Sequence, residues 1–326
     1  MIKLFLLRNL WGDFMDESIK KCLIIYNPKS GKGLNPKILD EYKKILHEYG
    51  YSIDVLATQY RCHATDAVRT ALDYDVIFSV GGDGTLNEVV SGNYQRDNKL
   101  VICPLPNGTC NDVATMLGYS TNPISNLKKA LDGEIHLMDI GTINEKPFVY
   151  VVGGGKFLNI PYETKSEEKK KDGYLAYIKA GISELLNKVR RYRTEVEIDG
   201  VKLDGKYSLI MISNANHIAG INGFHKDVCL DDGLMEVVLC KSKNIQDFAG
   251  NFIMHLMGQK CDDIISLKAR EVKVKMLDRP EKKWCIDGEE LKYDGNDFTI
   301  KIGDKMPFLT PKIKSKKLFS NDVTKI

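Results

Sequence analysis

The 326-residue chain has no run of about 18 consecutive apolar residues, which leaves no candidate for a membrane-spanning helix. It has no excess of charge of one sign: the formal net charge is +3 at pH 7, too little to point to nucleic acid. Its eight cysteines, Cys22, Cys62, Cys103, Cys110, Cys229, Cys240, Cys261 and Cys285, include no C-x-x-C pair and have no matching histidine cluster, so a zinc site is disfavoured. Reduced thiols in a cytoplasmic protein are expected. No signal peptide is expected, because Lys3 and Arg8 interrupt the short apolar stretch Met1 to Trp11 and no cleavage site follows. Residues 1 to 14 read as a frayed extension or a mis-assigned start ahead of Met15.

What is present is a globular composition, 43% apolar, with length enough for two domains that each have a core. The organising stretch is Gly81-Gly82-Asp83-Gly84-Thr85-Leu86-Asn87-Glu88. Before it, Val76, Ile77, Phe78 and Val80 predict a strand buried on both faces; after it, Leu86, Val89 and Val90 recur at helical spacing. The glycines therefore form a strand-to-helix turn. Such a turn suits phosphate, since glycine reaches positive φ and has no Cβ, so backbone N–H groups approach a ligand at the positive end of the helix. Asp83 would repel phosphates unless a divalent cation lay between them, so the loop predicts a nucleotide with Mg²⁺.

Two more loops repeat the pattern. Cys22 to Tyr26 reads as a strand feeding Asn27-Pro28-Lys29-Ser30-Gly31-Lys32-Gly33, and Ile38, Leu39, Tyr42, Ile45, Leu46 and Tyr49 then recur as a helix capped by Gly50. The loop lacks the G-x-x-x-x-G-K-[ST] order of a P-loop, so a Walker-type site is excluded there. Ser52 to Thr58 is a further strand, followed by a helix over His63 to Leu72 in which His63 is a helix-start residue. Leu100 to Leu105 is the next strand, and Pro106-Asn107-Gly108-Thr109-Cys110-Asn111-Asp112 turns into a helix that Asn111 and Asp112 are expected to cap. Ile124 to Leu131 adds one more helix. Alternating strands and helices predict a parallel sheet with ligands at the carboxyl ends of its strands, where all these loops fall.

From His136 the rhythm changes to strands and tight turns: Leu137 to Ile143, Phe148 to Val152, Glu195 to Ile198, Val201 to Leu203 and Tyr207 to Ile212. Hairpins at this spacing predict an antiparallel sandwich, with a boundary near residue 135. An amphipathic helix, Tyr174 to Leu186, follows the charged loop Lys165 to Lys171. Cys229-Leu230-Asp231-Asp232-Gly233-Leu234 is an acidic turn opening a strand. Ile245 to Met257 reads as a helix with Ile245, Phe248, Phe252 and Met257 toward the core. A strand at Val272 to Met276 precedes Trp284-Cys285-Ile286-Asp287-Gly288-Glu289, in which Asp-Gly makes a hairpin turn. The tail from Lys312 to Lys317 is basic.

Four stretches in this order, N-P-x-S-G at 27 to 31, G-G-D-G-T at 81 to 85, P-x-G-T-x-N-D at 106 to 112 and D-G-E at 287 to 289, resemble the lipid kinase superfamily of diacylglycerol and sphingosine kinases. The likeness is greatest to soluble bacterial diacylglycerol kinases and covers roughly residues 20 to 305. The glycine loop is shared with NAD kinases and phosphofructokinases, but the first and last motifs disfavour an NAD kinase. The resemblance implies a doubly wound α/β domain of NAD kinase and phosphofructokinase type at 20 to 135, holding ATP. It further implies an antiparallel β-sandwich at 136 to 305 with a lipid groove and the catalytic turn, and a tail from 306 that returns to the first domain.

The implied reaction moves the γ-phosphoryl group of ATP to the hydroxyl of a lipid such as diacylglycerol, giving phosphatidic acid. ATP would be held by Asn27, Pro28, Lys29, Ser30, Gly31, Thr58, Gly81, Gly82, Asp83, Gly84, Thr85, Leu86, Asn87 and Thr109. A structural Mg²⁺ would take the Asp232 side chain and the carbonyls of Cys229 and Leu234. Asp83 would organise Mg²⁺-ATP, and the catalytic base would come from Asp287 or Glu289, which lie two apart and tend to point the same way, with the longer Glu289 favoured. The expected partners are ATP, a lipid alcohol and, transiently, a membrane surface; no nucleic acid is expected, and a homodimer is left open. The location implied is cytoplasmic, peripheral at the inner membrane surface. Two alternatives are an NAD kinase-like enzyme and a non-catalytic nucleotide-sensing regulator.

Overall fold

The apolar runs of the first third become β1 (Lys20–Tyr26), β2 (Tyr51–Ala57), β3 (Val76–Gly81) and β4 (Val101–Pro106), all parallel and ordered β4-β3-β1-β2. Between and after them lie α1 (Pro36–Glu48), α2 (His63–Arg69), α3 (Asp83–Tyr94), α4 (Asp112–Met116) and α5 (Pro123–Leu131). The starts of α1 and α5 are built alike. Asn35 and Asn122 accept the N–H groups of Lys37 and Ser125, and proline opens each helix where its missing N–H is not needed. Right-handed crossovers put α1 on one face and α2 and α3 on the other; accordingly α2 packs on α3 and α1 on α5. Every residue of β3 is buried, as a strand covered on both faces requires. The strand order reverses between β1 and β3, which opens a crevice at their carboxyl ends.

This computed structural model describes residues 20–31, 33–156, 188–281, 283–312 and 318–320. The expected helix Tyr174 to Leu186, the charged loop before it, residues 1 to 14 and most of the basic tail lie outside them. No helix among the described residues is long and apolar enough to cross a membrane.

The chain continues as β5 (Glu134–Ile143), β6 (Lys146–Phe148), β7 (Val151–Gly155), β8 (Tyr192–Ile198), β9 (Val201–Lys202), β10 (Gly205–Tyr207) and β11 (Leu209–Ser213). Then come β12 (His217–Ile218), β13 (Ile221–Asn222), β14 (Met235–Cys240), α6 (Ile245–Leu256), β15 (Ile264–Ala269) and β16 (Glu271–Met276). It ends with β17 (Cys285–Ile286), β18 (Glu289–Glu290) and the long β19 (Asp297–Thr310). β7, β11, β14, β15, β17 and β18 form a six-stranded antiparallel sheet, β15-β14-β11-β7-β17-β18. Its Ile210, Ile212, Val237 and Leu239, with Trp284 just before β17, pack against Val196, Val272, Val274, Phe298 and Ile300 from β8, β16 and β19. That is the sandwich core, and it follows the α/β layer as the change of rhythm implies.

β19 joins the two parts. Its start pairs antiparallel with β16, Ile300 to Thr310 pairs antiparallel with β5 across a register shift, and at Phe308 it pairs in parallel with Ile102 of β4. One sheet of 11 strands therefore runs from the sandwich into the α/β layer. Beyond it, Phe319 stacks on His136 with ring centroids 4.3 Å apart.

Two runs read as single strands are in fact divided between sheets. Phe148 to Val152 ends β6 and starts β7, and Tyr207 to Ile212 splits at Ser208 into β10 and β11. The bend at Ser208 is permitted by Gly155, whose added Cβ would lie 2.3 Å from the Ser208 carbonyl oxygen. In α6 only Phe248 is buried; Met257, expected toward the core, is 59% exposed just past the helix end.

Phe308 is fully buried where β19 meets both β4 and β5. Phe308→Ala should cost about 3 to 5 kcal/mol in denaturant unfolding; a loss below about 1 kcal/mol would show that the join contributes little.

Candidate active site at the glycine loops

Three loops meet backbone to backbone at the carboxyl ends of β1, β3 and β4. The Asn107 N–H donates to the Gly81 carbonyl at 2.7 Å and the Asn27 N–H to that of Val80 at 3.3 Å. The Ser30 hydroxyl donates to the Asn107 carbonyl at 3.4 Å. A Cβ on Gly108 would lie 2.5 Å from Gly82 Cα, and one on Gly31 2.5 Å from the Asn107 oxygen, so only glycine permits the approach. Positive φ, expected of the 81 to 84 glycines, belongs instead to Gly31 at 55° and Gly33 at 82°. Gly81 and Gly82 are required for closeness alone; a Cβ on Gly81 would strike Thr85 at 2.5 Å.

The floor so formed can hold an anion. α3 starts at Asp83 after Gly82, with no side chain capping its first N–H groups, which leaves donors at a helix N-terminus. The buried Asn107 Nδ2 has no partner among the described residues, and a phosphate oxygen is the kind of acceptor it lacks. Around this floor the predicted contacts fall as follows. Asn27 Oδ1 accepts the Lys29 N–H at 2.8 Å, and Pro28 and Lys29 are exposed. Thr58 follows β2 with its N–H on the Tyr26 carbonyl. Thr109 is half-buried in the loop after β4, while Thr85 and Leu86 are packed into the interior.

Three carboxylates tie these loops to one another and to later segments of the chain. Asp83 accepts the N–H groups of Asp112 at 3.1 Å and Val113 at 3.2 Å. It thus caps α4 from a distant loop, whereas Asn111, expected to do so, folds back onto both polar groups of Gly108. Asp112 accepts the N–H groups of Ala219 and Gly220 at 2.9 Å each and lies 2.9 Å from His217 Nδ1. Asp287 accepts from Val149, Tyr150 and Val151 N–H at 2.7 to 3.1 Å and from the Asn87 amide at 2.7 Å. Burial, then the nearby charge of Asp112, pushes Asp83 up to about 7; burial also raises Asp287, against the pull of its backbone donors.

The hairpin separates the two candidate bases. Asp287 and Gly288 take φ of 46° and 78°, so Asp287 leaves the strand geometry and turns inward. Glu289 points the other way: its Oε1 lies 3.7 Å from where a Cβ of Gly84 would stand, and its side chain is 54% exposed beside Arg61 at 3.8 Å. Sequence reasoning missed His217 and the 217–220 contacts to Asp112, whose only signal was the run of small and polar residues from Asn214 to Gly223. It also passed over Asn107 and Arg61.

At the acidic turn, Asp232 accepts its own turn's Leu234 N–H at 3.0 Å and meets Lys268 at 3.0 Å. Asp231 accepts the Ser320 N–H and the Cys229 thiol, and Asp139 accepts the Gly233 N–H. The donors are hard oxygens of the kind Mg²⁺ takes, with Lys268 already on one Asp232 oxygen. No cluster of three or more His, Cys, Asp or Glu placed for a metal occurs among the described residues, so a cation there would lean on backbone carbonyls and water.

A family model described as the diacylglycerol kinase catalytic domain matches residues 21–143. A diacylglycerol kinase of Bacillus subtilis is 33% identical over 279 residues, 83% of this chain and 90% of its own length. Another from Staphylococcus carnosus is 30% identical over 83% of this chain and 89% of its own. A solved structure of a diacylglycerol kinase from Bacillus anthracis matches with a TM-score of 0.73 at 25% identity, over 89% of this chain and 97% of that one.

Glu236, beside the acidic turn, gives a pH test. It is buried, neither carboxylate oxygen has a hydrogen bond among the described residues, and Lys268 stands 3.6 Å away. Burial outweighs the ammonium and pushes its pKa from 4.5 to about 7. The folded state then binds a proton that the unfolded chain releases, so this contribution is full below about 4.5 and is lost as pH rises through about 7. Glu236→Gln should flatten the fall in melting temperature between about pH 5 and 8 relative to wild type; parallel curves would refute the assignment.

Proposed function

Because the chain belongs to the diacylglycerol kinase family, being an ATP-dependent lipid kinase that phosphorylates an alcohol group, we propose that its acceptor is diacylglycerol and its product phosphatidic acid. The observation that carries the reading is the placement of one exposed carboxylate, Glu289, opposite the glycine floor at Gly84. Bound ATP supplies the transferred phosphoryl group, with Mg²⁺ screening its charge. The N–H groups of Gly82 to Gly84 and the Asn107 amide receive the phosphates, and Ser30, Gly31, Thr58 and Thr109 border them. Asp83 fixes the cradle by capping α4 and contributes its charge toward Mg²⁺. Glu289 accepts the proton of the lipid hydroxyl as its oxygen attacks, while Asp287 and Asn87 hold the turn that presents it. Asp232, with the carbonyls of Cys229 and Leu234, would hold a structural Mg²⁺ that fastens the acidic turn.

A lipid substrate places the enzyme at a membrane surface, which we assign to the cytoplasmic side of the inner membrane. Residues 20 to 135 and 136 to 305 act in this reading as nucleotide and lipid domains, with the reaction between them.

The test uses labelled ATP, Mg²⁺ and a panel of lipid alcohols, with separation of the lipid products. Phosphatidic acid should dominate; a phosphorylated sphingoid base or polyprenol instead would move the acceptor assignment. Glu289→Gln should lower kcat by about 10² to 10⁴-fold with an unchanged melting temperature. Asp287→Ala should lower the melting temperature, because three buried N–H groups lose their acceptor, on the order of 3 kcal/mol. Full turnover by Glu289→Gln would remove it as the base.

A further inference from the structure

The loop between β2 and α2 is held from both sides. Glu88 of α3 accepts the Cys62 N–H at 2.8 Å and the Ala64 N–H at 3.3 Å, and its carbonyl accepts the Thr65 hydroxyl. His63 Nδ1 takes the Gln59 N–H at 3.1 Å, and its ring stacks on Tyr60 at 4.4 Å. Cys62 closes the loop in the left-handed region at φ 65°, a strained position for a residue with a Cβ. Gln59 to Cys62 is thereby fastened to the helix that starts at the glycine floor.

Arg61 projects from this loop, 60% exposed, with a guanidinium nitrogen 3.8 Å from Glu289 Oε2. An exposed pair at that distance does little for stability, so the fastening of the loop calls for another use. A second observation points to an anion. Burial, and then the charge of Arg61, holds Lys146 below the ordinary lysine value, with Lys292 adding to the push and Cys62 and Asp287 opposing it. Cations crowded on one side of Asp287 and Glu289 are eased by a ligand with negative charge.

We propose that Arg61 binds the γ-phosphate of ATP, exchanging its contact with Glu289 for one with the phosphoryl group when nucleotide lies on the glycine floor. This rests on the kinase reading. Arginine suits the task because its planar fork bonds two phosphate oxygens at once and keeps its charge. In the step it serves, the lipid hydroxyl proton passes to Glu289 and the oxygen forms a bond to the γ-phosphorus. The bond from that phosphorus to the β,γ-bridging oxygen breaks, and ADP leaves with the electron pair. The guanidinium offsets charge on the three oxygens in transit, and its departure frees Glu289 for the hydroxyl.

The experiment measures binding apart from turnover. Calorimetry on the full chain compares Mg²⁺-ATP with Mg²⁺-ADP for wild type, Arg61→Ala and Arg61→Lys. Wild type should prefer ATP by about tenfold or more, Arg61→Ala should bring the two within about twofold with ADP affinity retained, and Arg61→Lys should keep part of the preference. With lipid present, kcat of Arg61→Ala should fall at least about tenfold at unchanged melting temperature. A wild type without the preference, or an alanine variant that keeps both the preference and kcat, overturns the role of Arg61 while leaving a working kinase. A wild type that binds no ATP overturns the kinase reading and this inference together.

Discussion

A carboxylate taken out of water must be given hydrogen-bond donors or lose its charge, and the crevice of this protein is built around three that meet this demand with backbone N–H groups. Asp83 takes two from the start of α4, Asp112 two from the 219–220 segment, and Asp287 three from residues 149–151. Each bond set spans two segments far apart in the chain. The dependence is mutual at Asp287: where the chain leaves β6 for β7 it changes sheets, and the carboxylate accepts the N–H groups at that passage. The same contacts fix the turn whose next side chain is Glu289. Tyr150, buried among all three acids, stays protonated because burial and their charge push its hydroxyl well up.

β19 provides the rigidity that such contacts need. A carboxylate bridging two independently moving bodies would lose its geometry with each displacement. Here the strand that closes the sandwich is also the neighbour of β4 and β5, so the floor and the wall of the crevice share one hydrogen-bonded sheet. The irregularity between Ile302 and Lys305 lets one strand serve both ends, since a bulge bends the strand and increases its twist.

How much of this was legible in the sequence depended on how local the cause was. The parallel layer and its three loops were readable because apolar runs, helical spacing and glycines act within about ten residues of each other, and the floor lies where those loops placed it. The sheet changes at Val149 to Tyr150 and at Ser208 were not, because an unbroken apolar run carries no mark of which partner takes its N–H groups. The cap of α4 was misassigned for the same reason: Asn111 and Asp112 have the right chemistry, yet Asp83, 29 residues away, supplies the acceptor. Period-two reasoning put Asp287 and Glu289 on one face, and the left-handed φ at Asp287 broke that period.

The division between inward Asp287 and outward Glu289 suits the proton acceptor that the proposed reaction needs. It must be ionised at working pH and have a lone pair to offer. Burial works against the first condition, raising Asp83 to about 7 although two backbone N–H groups donate to it. Hydrogen-bond donors pull against that rise but occupy the oxygens, as on Asp287, where both already accept two bonds each. An exposed carboxylate escapes both limits and lacks only a fixed position. Here position comes from the hairpin: the buried acid anchors the turn, and the exposed one, two residues on, is delivered to Gly84. In the proposed reaction, one short Asp-Gly-Glu sequence thereby separates holding from reacting, which neither residue could combine alone.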